Sequence, residues 1–415
     1  MKRILAIVVI VFSLLPINSS IAAVPAQGNS CSKLGVIQVY KGIKYTCTKS
    51  GKKLIWTRTP NKPSVSVSPS AKPDSGNKSA NTPSPTYVNS INAEVNRGCE
   101  VNGEESFPLS GALRCSANSW SLIAEANDSV ASRAFRSLIS KYNKNENATV
   151  NIKFFEESSS GASTILLKRS MVAAARLWNQ KNLPQEPYPV LIGRTLDWLK
   201  KSALENNLTP NFGWTNIENQ FRDWKECSYA EFYSTTGQPW YVFCYSQPAE
   251  QINKDLSFLQ VGAHEYTHLI QFHLSNSFYR NNGDPLPPWL QEGFAMFVGT
   301  MLGGSTLVDN NLRIQLINQL RGTNTPLSDY KYRFPEKWND IYPLGGFATE
   351  ALVALKGIEV METMCSKLAE GKTSEQAILL ATGKDLNYWT ELGQGYVDSI
   401  KQGKPWTLDE LRNKS

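Results

Sequence analysis

Two histidines and a glutamate near the middle of the chain have the spacing of a metal-binding helix. His264, Glu265 and His268 form the pattern H-E-x-x-H. Residues i and i+4 lie on one face of a helix, so both imidazoles can reach one ion while the glutamate polarises the attacking water. The chain has only three histidines, which makes chance placement in this pattern improbable, on the order of one in a thousand. A structural pair of histidines is the competing interpretation.

A catalytic zinc takes three protein ligands and leaves a fourth position for water, so the pattern needs another ligand. His273 is the remaining histidine. It follows His264 by nine residues, which places it about 180° around the helix and pointing away from the ion. The metzincin pattern would have glycine at position 271, but Gln271 stands there and the helix continues. His273 is therefore excluded as a ligand on geometric grounds.

Glu292, in the segment PWLQEGFA, is the better third ligand. Pro288 suits the first turn of a helix, and residues 277–287 give the chain room to reverse. The second helix can then lie beside the first. Gly293, next to the ligand, is expected to let these two backbones approach closely. Asp284 is the alternative ligand, but it lies in the loop, where a fixed geometry is harder to hold.

The segments HEYTH and WLQEGFA together resemble the gluzincin zinc metallopeptidases of clan MA, especially the aminopeptidase catalytic domain and its shorter MA-like relatives. The resemblance covers about residues 130–400. It implies a Zn2+ ion held by His264, His268 and Glu292, with Glu265 as the general base. The interval from His268 to Glu292 is longer than in the aminopeptidases, and the motif G-x-M-E-N is missing. The resemblance thus supports a metal site and a zincin-like fold without implying aminopeptidase activity.

The resemblance also suggests how a peptide would be held. In this clan a tyrosine or histidine from the helical part stabilises the oxyanion, and Tyr342, which opens the run YPLGGFA, resembles that residue. A purely structural role for Tyr342, as a core tyrosine at the start of a helix, is equally open. Tyr330 and Tyr332 are weaker alternatives for the oxyanion donor. Residues 240–244 are expected to form an edge strand that pairs with an extended peptide.

The elements around these residues predict an α+β fold. Strand patterns come first and helical patterns dominate later, which favours segregated strands and helices. Residues 124–415 are therefore expected to form a zincin-like domain with a small mixed sheet, the H-E-x-x-H helix and a helical C-terminal part. The predicted strands are 150–155, 188–193 and 239–245, and the predicted helices are 163–180, 197–206, 255–275, 288–302 and most of 342–401.

The cysteines predict two small modules before this domain. Six of the seven fall into couples separated by 16, 16 and 17 residues, namely Cys31/Cys47, Cys99/Cys115 and Cys227/Cys244. Residues 24–57 and 91–123 share the same arrangement of cysteines, glycine and tryptophan, so we interpret them as disulfide-pinned β modules. Residues 58–90 form a Pro-, Ser- and Lys-rich linker. Cell-surface contact and a plain spacer are both open as roles. Cys365 is expected to be a buried, inert thiol.

The N-terminus predicts export. Lys2 and Arg3 precede an apolar run, and Ser20-Ile21-Ala22 fits a signal-peptidase site, so residues 1–23 are predicted to be a signal peptide. We therefore expect a secreted or envelope-associated protein in an oxidising compartment, without a membrane span in the mature chain. The formal net charge of +7 is spread along the sequence and does not indicate nucleic-acid binding.

These observations favour a secreted zinc endopeptidase that acts on a peptide or protein substrate. Two alternatives stay open. One is a catalytically inactive protein of this fold that binds a surface ligand or peptide, and the other is an aminopeptidase. An intact set of four site residues argues against the first, and the missing amino-terminus motif argues against the second.

Overall fold

The structure is a computed structural model, and it describes the chain in segments. Residues 10–11, 34, 37–40, 43–51 and 53–58 are described near the N-terminus, with residue 52 left out. From residue 105 onward most of the chain is described, in the following ranges with isolated residues 214 and 218 between them: 105–109, 111–117, 119–148, 150–157, 164–179, 187–208, 228–235, 238–245, 257–276, 286–304, 312–332 and 338–415.

The described strands follow one another in three sheets. In chain order they are β1 (Ile10–Val11), β2 (Ile37–Tyr40), β3 (Ile43–Ser50), β4 (Lys53–Arg58), β5 (Glu105–Ser106), β6 (Leu113–Ser116), β7 (Ser119–Leu122), β8 (Ile152–Glu156), β9 (Tyr188–Gly193), β10 (Ser228–Thr235) and β11 (Gln238–Tyr245). The three predicted catalytic-domain strands correspond to β8, β9 and β11.

The described helices are concentrated in the second half of the chain. They are α1 (Val130–Lys144), α2 (Ile165–Trp178), α3 (Leu196–Glu205), α4 (Ser257–Leu274), α5 (Pro288–Val298), α6 (Leu312–Arg321), α7 (Ile341–Lys356), α8 (Val360–Ala369), α9 (Ser374–Thr382), α10 (Leu386–Lys401) and α11 (Leu408–Lys414). Small sheets followed by many helices confirm the predicted α+β class. No helix in these ranges has the length and apolar composition of a membrane span.

The chain divides into two compact units, residues 13–86 and residues 1–12 with 87–415. The first contains the antiparallel sheet β2-β3-β4, in which Cys47 lies opposite Trp56. The second contains the antiparallel sheet β5-β6-β7, in which Cys115 lies opposite Trp120. The two predicted modules thus share one strand arrangement, with a cysteine on the middle strand and a tryptophan across from it.

The cysteines of these sheets are both oxidised. Cys47 and Cys115 are disulfide-bonded, but their predicted partners, Cys31 and Cys99, lie outside the described residues. The pairings therefore remain predictions, as does Cys227–Cys244, since Cys227 is also outside. Cys365 is a free, fully buried thiol, as expected.

The large unit has one main core that includes the second small sheet. Phe107 of that sheet region packs against Phe135 of α1, with ring centroids 5.3 Å apart. Ala112 and Ile123 belong to the same buried cluster as the helices around the H-E-x-x-H segment. The second module therefore packs on the domain that follows it.

The largest sheet is mixed, as predicted, but its order corrects one expectation. The strands lie in the order β1-β10-β11-β9-β8, with β8, β9 and β11 parallel and β10 antiparallel to β11. Residues 240–244 belong to β11, which has neighbours on both sides. They are not an edge strand, because the additional strand β10 covers the side that the sequence pattern left open. Of the predicted signal peptide, only Ile10–Val11 is described, as a two-residue strand paired with β10.

Glycines bring the helix backbones of the site together, though not the pair that the sequence suggested. A Cβ on Gly293 of α5 would lie 2.5 Å from the carbonyl oxygen of Gly345 on α7. Against α4, the close glycine packing occurs in the π-helical turn Gly299–Gly303 after α5, where a Cβ on Gly303 would lie 2.0 Å from the carbonyl oxygen of Leu259. Gly293 therefore permits the close approach of α5 to α7, and Gly303 permits the close approach of the turn after α5 to α4.

We predict that Gly293→Ala destabilises the protein by about 1–3 kcal/mol, because the added methyl group meets the Gly345 backbone and overpacks the interface. Chemical denaturation of the purified chain measures this loss. Gly322→Ala is the control: its Cβ meets only the Gln319 carbonyl oxygen, at 3.3 Å. Equal stability losses in the two variants would contradict the close packing of α5 and α7.

Candidate metal centre

The helix α4 presents both histidines of the H-E-x-x-H pattern from a buried position. His264 and His268 are each 3% exposed, and Glu265 is 2% exposed. Thr267 anchors this part of the helix, since its Oγ1 donates to the Ala263 carbonyl oxygen at 2.9 Å and accepts from Trp178 Nε1 at 3.1 Å. The ligand-bearing turn is therefore fixed to α2 by a hydrogen bond inside the core.

Helix α5 brings Glu292 to the same point. Pro288 occupies the first turn of this helix, and all its residues are buried, with Glu292 fully so. Oε2 of Glu292 lies 3.2 Å from Nε2 of His268 and 3.4 Å from Nε2 of His264. The two Nε2 atoms are 3.0 Å apart. Three potential ligand atoms thus form a small, nearly equilateral triangle.

This triangle has the size of one face of a tetrahedral metal site. Zinc bonds to imidazole nitrogen and carboxylate oxygen at about 2.0–2.2 Å, which puts neighbouring tetrahedral ligand atoms about 3.3–3.6 Å apart. The other carboxylate oxygen of Glu292, Oε1, is buried and has no hydrogen-bond partner among the described residues. The donor set His264, His268 and Glu292 therefore fits a divalent metal ion. Among the described residues, no other group of three or more histidine, cysteine or acidic side chains comes this close together.

The charges of the three side chains are strongly coupled. Burial by itself lowers the pKa of His268, but the adjacent Glu292 carboxylate raises it to about 9. Burial lowers the pKa of His264 to about 4. Burial would raise the pKa of Glu292, but His268 and His264 lower it to about 2. Without metal, a positive His268 and a negative Glu292 therefore stabilise one another beside a neutral His264.

Tyr342 also lies at this centre. Its ring centroid is 5.8 Å from that of His264, in an edge-to-face arrangement, and its side chain is 7% exposed. Burial and the negative charges of Glu292 and Glu265 raise its pKa well above the ordinary value. The phenol is therefore protonated at neutral pH and can act as a hydrogen-bond donor.

The alternative residues lie elsewhere or remain undescribed. His273, in the last turn of α4, is not part of the potential ligand group. Tyr332 is 68% exposed and donates a hydrogen bond to Glu375, and Tyr330 is buried in a short 3-10 helix. Asp284 lies outside the described residues.

Sequence reasoning missed Gln271, whose side-chain oxygen lies 2.8 Å from Nδ1 of His268. Its position three residues after His268 places it on the ligand face of the helix. A polar residue at this spacing in an otherwise apolar segment is the signal that could have identified it.

Comparisons with protein-family models, with curated proteins and with solved structures find no match to this chain. The side-chain geometry of the site and the motif that produces it are therefore what indicate a function for this chain.

We predict that one proton leaves the protein when Zn2+ binds at neutral pH. His268, with a pKa of about 9 in the metal-free chain, must lose its proton to become a ligand, whereas His264 is already neutral. The apparent Kd for Zn2+ should fall about tenfold per pH unit from pH 6 and level off above about pH 9. Calorimetric titration in buffers of different ionisation enthalpy counts the proton. An affinity that is constant between pH 6 and pH 8 would contradict the coupled pair.

Proposed function

We propose that the protein is a secreted zinc-dependent peptidase of the gluzincin type, with a zincin-like catalytic domain in residues 124–415. The observation that carries this proposal is the convergence of two histidine nitrogens and one carboxylate oxygen within 3.4 Å of one another. The H-E-x-x-H pattern adds a second carboxylate, Glu265, directly after the first of these histidines.

The donor set favours zinc over other divalent ions. Two imidazoles suit zinc and related transition metals, while calcium and magnesium prefer sites made only of oxygen. Three protein ligands leave the fourth tetrahedral position open, which is the usual difference between a catalytic and a structural zinc site. The described residues at the triangle include no fourth metal-binding group.

In the proposed reaction, each buried group of this chain has a distinct role. Zinc, when bound, supplies a Lewis acid that makes water acidic and polarises the scissile carbonyl. Glu265 accepts the proton of the attacking water and transfers it to the leaving amine. His264, His268 and Glu292 hold the ion, and their burial excludes competing solvent.

Tyr342 is proposed to stabilise the oxyanion. Its raised pKa keeps the hydroxyl protonated, so it can donate a hydrogen bond to the carbonyl oxygen as negative charge develops. Its ring lies against His264, which places it on the metal side of helix α7. A charge that forms only in the transition state makes this interaction stronger there than in the bound substrate.

The substrate class follows from the chemistry rather than from a specificity pocket. An activated water, a general base and an oxyanion donor together suit an amide bond in a peptide or protein. An endopeptidase is preferred because the chain lacks the G-x-M-E-N segment that would hold a free amino terminus. The signal-peptide pattern and the oxidised Cys47 and Cys115 support an extracellular or envelope location.

We predict that Glu265→Gln abolishes peptide hydrolysis while Zn2+ stays bound, because the amide cannot accept the proton and Glu265 is not a ligand. The expected loss in kcat is at least about 100-fold. Hydrolysis of a broad peptide library, together with metal analysis, measures both effects. Glu292→Ala is the complementary variant and should lose the metal as well as activity.

The same library separates the alternatives. If the zinc-loaded wild type and Glu265→Gln are equally inactive, a binding protein of this fold is favoured over an enzyme. A strict requirement for a free amino terminus, tested with acetylated and free peptides of one sequence, would replace the endopeptidase with an aminopeptidase.

We predict that Tyr342→Phe lowers kcat by about 10²–10³-fold and leaves the Zn2+ affinity and KM nearly unchanged, because only the transition-state hydrogen bond is removed. Steady-state kinetics and metal titration measure the three quantities. Tyr330→Phe is the matched control, since Tyr330 is also a buried tyrosine but lies in the short 3-10 helix Leu327–Tyr330, whereas the ring of Tyr342 contacts His264. Equal losses in kcat in the two variants would assign Tyr342 to packing.

A further inference from the structure

The side chain of Gln271 connects the two helices that carry the metal ligands. Gln271 is on α4, one turn after His268, and is 3% exposed. Its Oε1 atom lies 2.8 Å from Nδ1 of His268. Its Nε2 atom donates to the backbone carbonyl oxygen of Gln291 at 2.9 Å. Gln291 directly precedes the ligand Glu292 on α5.

The hydrogen bond to Gln291 determines which way the amide of Gln271 points. A backbone carbonyl oxygen only accepts, so the group of Gln271 that faces it must be the NH2 donor. The oxygen of the same amide is therefore the atom that faces His268. This oxygen is an acceptor only, so Nδ1 of His268 must carry the proton.

A proton on Nδ1 decides the metal-binding atom of His268. In the neutral imidazole only one nitrogen is protonated, so Nε2 is left with a free lone pair. Nε2 is also the atom that lies in the triangle with His264 and Glu292. The amide of Gln271 and the ligand geometry thus require the same tautomer, although the two contacts involve opposite sides of the ring.

We propose that Gln271 is a positioning residue that fixes His268 in the tautomer and orientation required for metal binding and aligns it with Glu292. Metal-binding histidines usually donate their second ring nitrogen to an acceptor, and loss of that acceptor weakens binding. Here the acceptor is itself held by the backbone next to another ligand. The proposal depends on the metal site of the proposed function, but not on peptide hydrolysis.

The matched pair of variants is Gln271→Met and Gln260→Met. Methionine has nearly the shape of glutamine and forms neither hydrogen bond. Gln260 lies on the same helix and also bonds to the following helical segment, through Met296 Sδ at 2.6 Å and Thr300 Oγ1 at 2.8 Å. It differs in having no hydrogen bond to a ligand imidazole in the described contacts.

The first readout is the Kd of the full chain for Zn2+, measured by competition with a chromophoric chelator. Gln271→Met should raise this Kd about 10- to 100-fold, while Gln260→Met should stay within about threefold of the wild type. The Co2+ absorption spectrum should change in Gln271→Met alone, because the ligand field depends on imidazole orientation. Equal zinc affinities of Gln271→Met and the wild type, or equal losses in both variants, would overturn the proposal.

The second readout needs no metal. In the metal-free wild type labelled with 15N-histidine and held above about pH 9, where His268 is neutral, the 15N signal of Nδ1 should be that of a protonated ring nitrogen and that of Nε2 an unprotonated one, since the buried Nδ1–H is bonded to Gln271. The signal should persist in Gln260→Met and disappear in Gln271→Met. A wild-type chain that keeps this signal but binds no Zn2+ would refute the proposed function and leave the tautomer assignment standing. An unprotonated Nδ1 would refute the role of Gln271 directly.

Gln271→Glu provides the conservative rescue. Its carboxylate retains an acceptor for Nδ1 of His268, while its second oxygen replaces the donor to Gln291 and adds a negative charge. The Nδ1 proton should remain, and the Zn2+ Kd should lie closer to that of the wild type than the Kd of Gln271→Met. A loss as large as that of methionine would show that the acceptor does not position the ring.

Discussion

The structure depends on three electron-rich atoms that meet in the buried interior of the protein. Two imidazole nitrogens and a carboxylate oxygen approach within 3.4 Å, at residues that are no more than 3% exposed. Lone pairs at this separation repel one another unless a cation lies between them, and a buried charge is costly unless it is compensated. In the metal-free chain the proton on His268 provides partial compensation, and a divalent ion would compensate all three.

Such convergence requires helix backbones to approach closely and to stay in register. His264 and His268 both lie on one regular helix, α4. Glu292 must be aligned with them from a different element, so its position depends on how α5 packs against α4 and α7. Gly345 of α7 lies against the backbone of Trp289 and Gly293, on either side of Glu292. Gly303, in the turn after α5, lies against the backbone of Leu259 in α4. A side chain at either glycine would clash with the facing backbone, and any resulting shift of α5 would move the Glu292 carboxylate with it.

The sequence could predict the parts of this arrangement that are local. Helices and strands can be identified from local signals. These are the spacing of His264 and His268, the proline at the start of the helix that carries Glu292, and the periodicity of the apolar runs. Strand order and helix neighbours are tertiary properties, which explains why the sequence pattern predicts β11 at an edge and Gly293 between α4 and α5, whereas the structure places β10 beside β11 and α7 beside Gly293. Likewise, the link from Gln271 to Gln291 joins residues that are distant in sequence and share no pattern. Periodicity shows which face of a helix or strand is apolar, but tertiary packing decides which other element that face contacts.

The charges that would hold a cation also determine the state of the groups beside it. Glu292 stays ionised because both histidines stabilise its charge, despite a burial that favours the neutral form. The same negative charge, together with that of Glu265, raises the pKa of Tyr342 and keeps its hydroxyl protonated. The Glu292 carboxylate, which belongs to the potential metal-binding group, therefore also keeps a hydrogen-bond donor protonated beside His264. The charge state of each group thus supports that of the next, which lets an ionised carboxylate and a protonated phenol coexist at this centre.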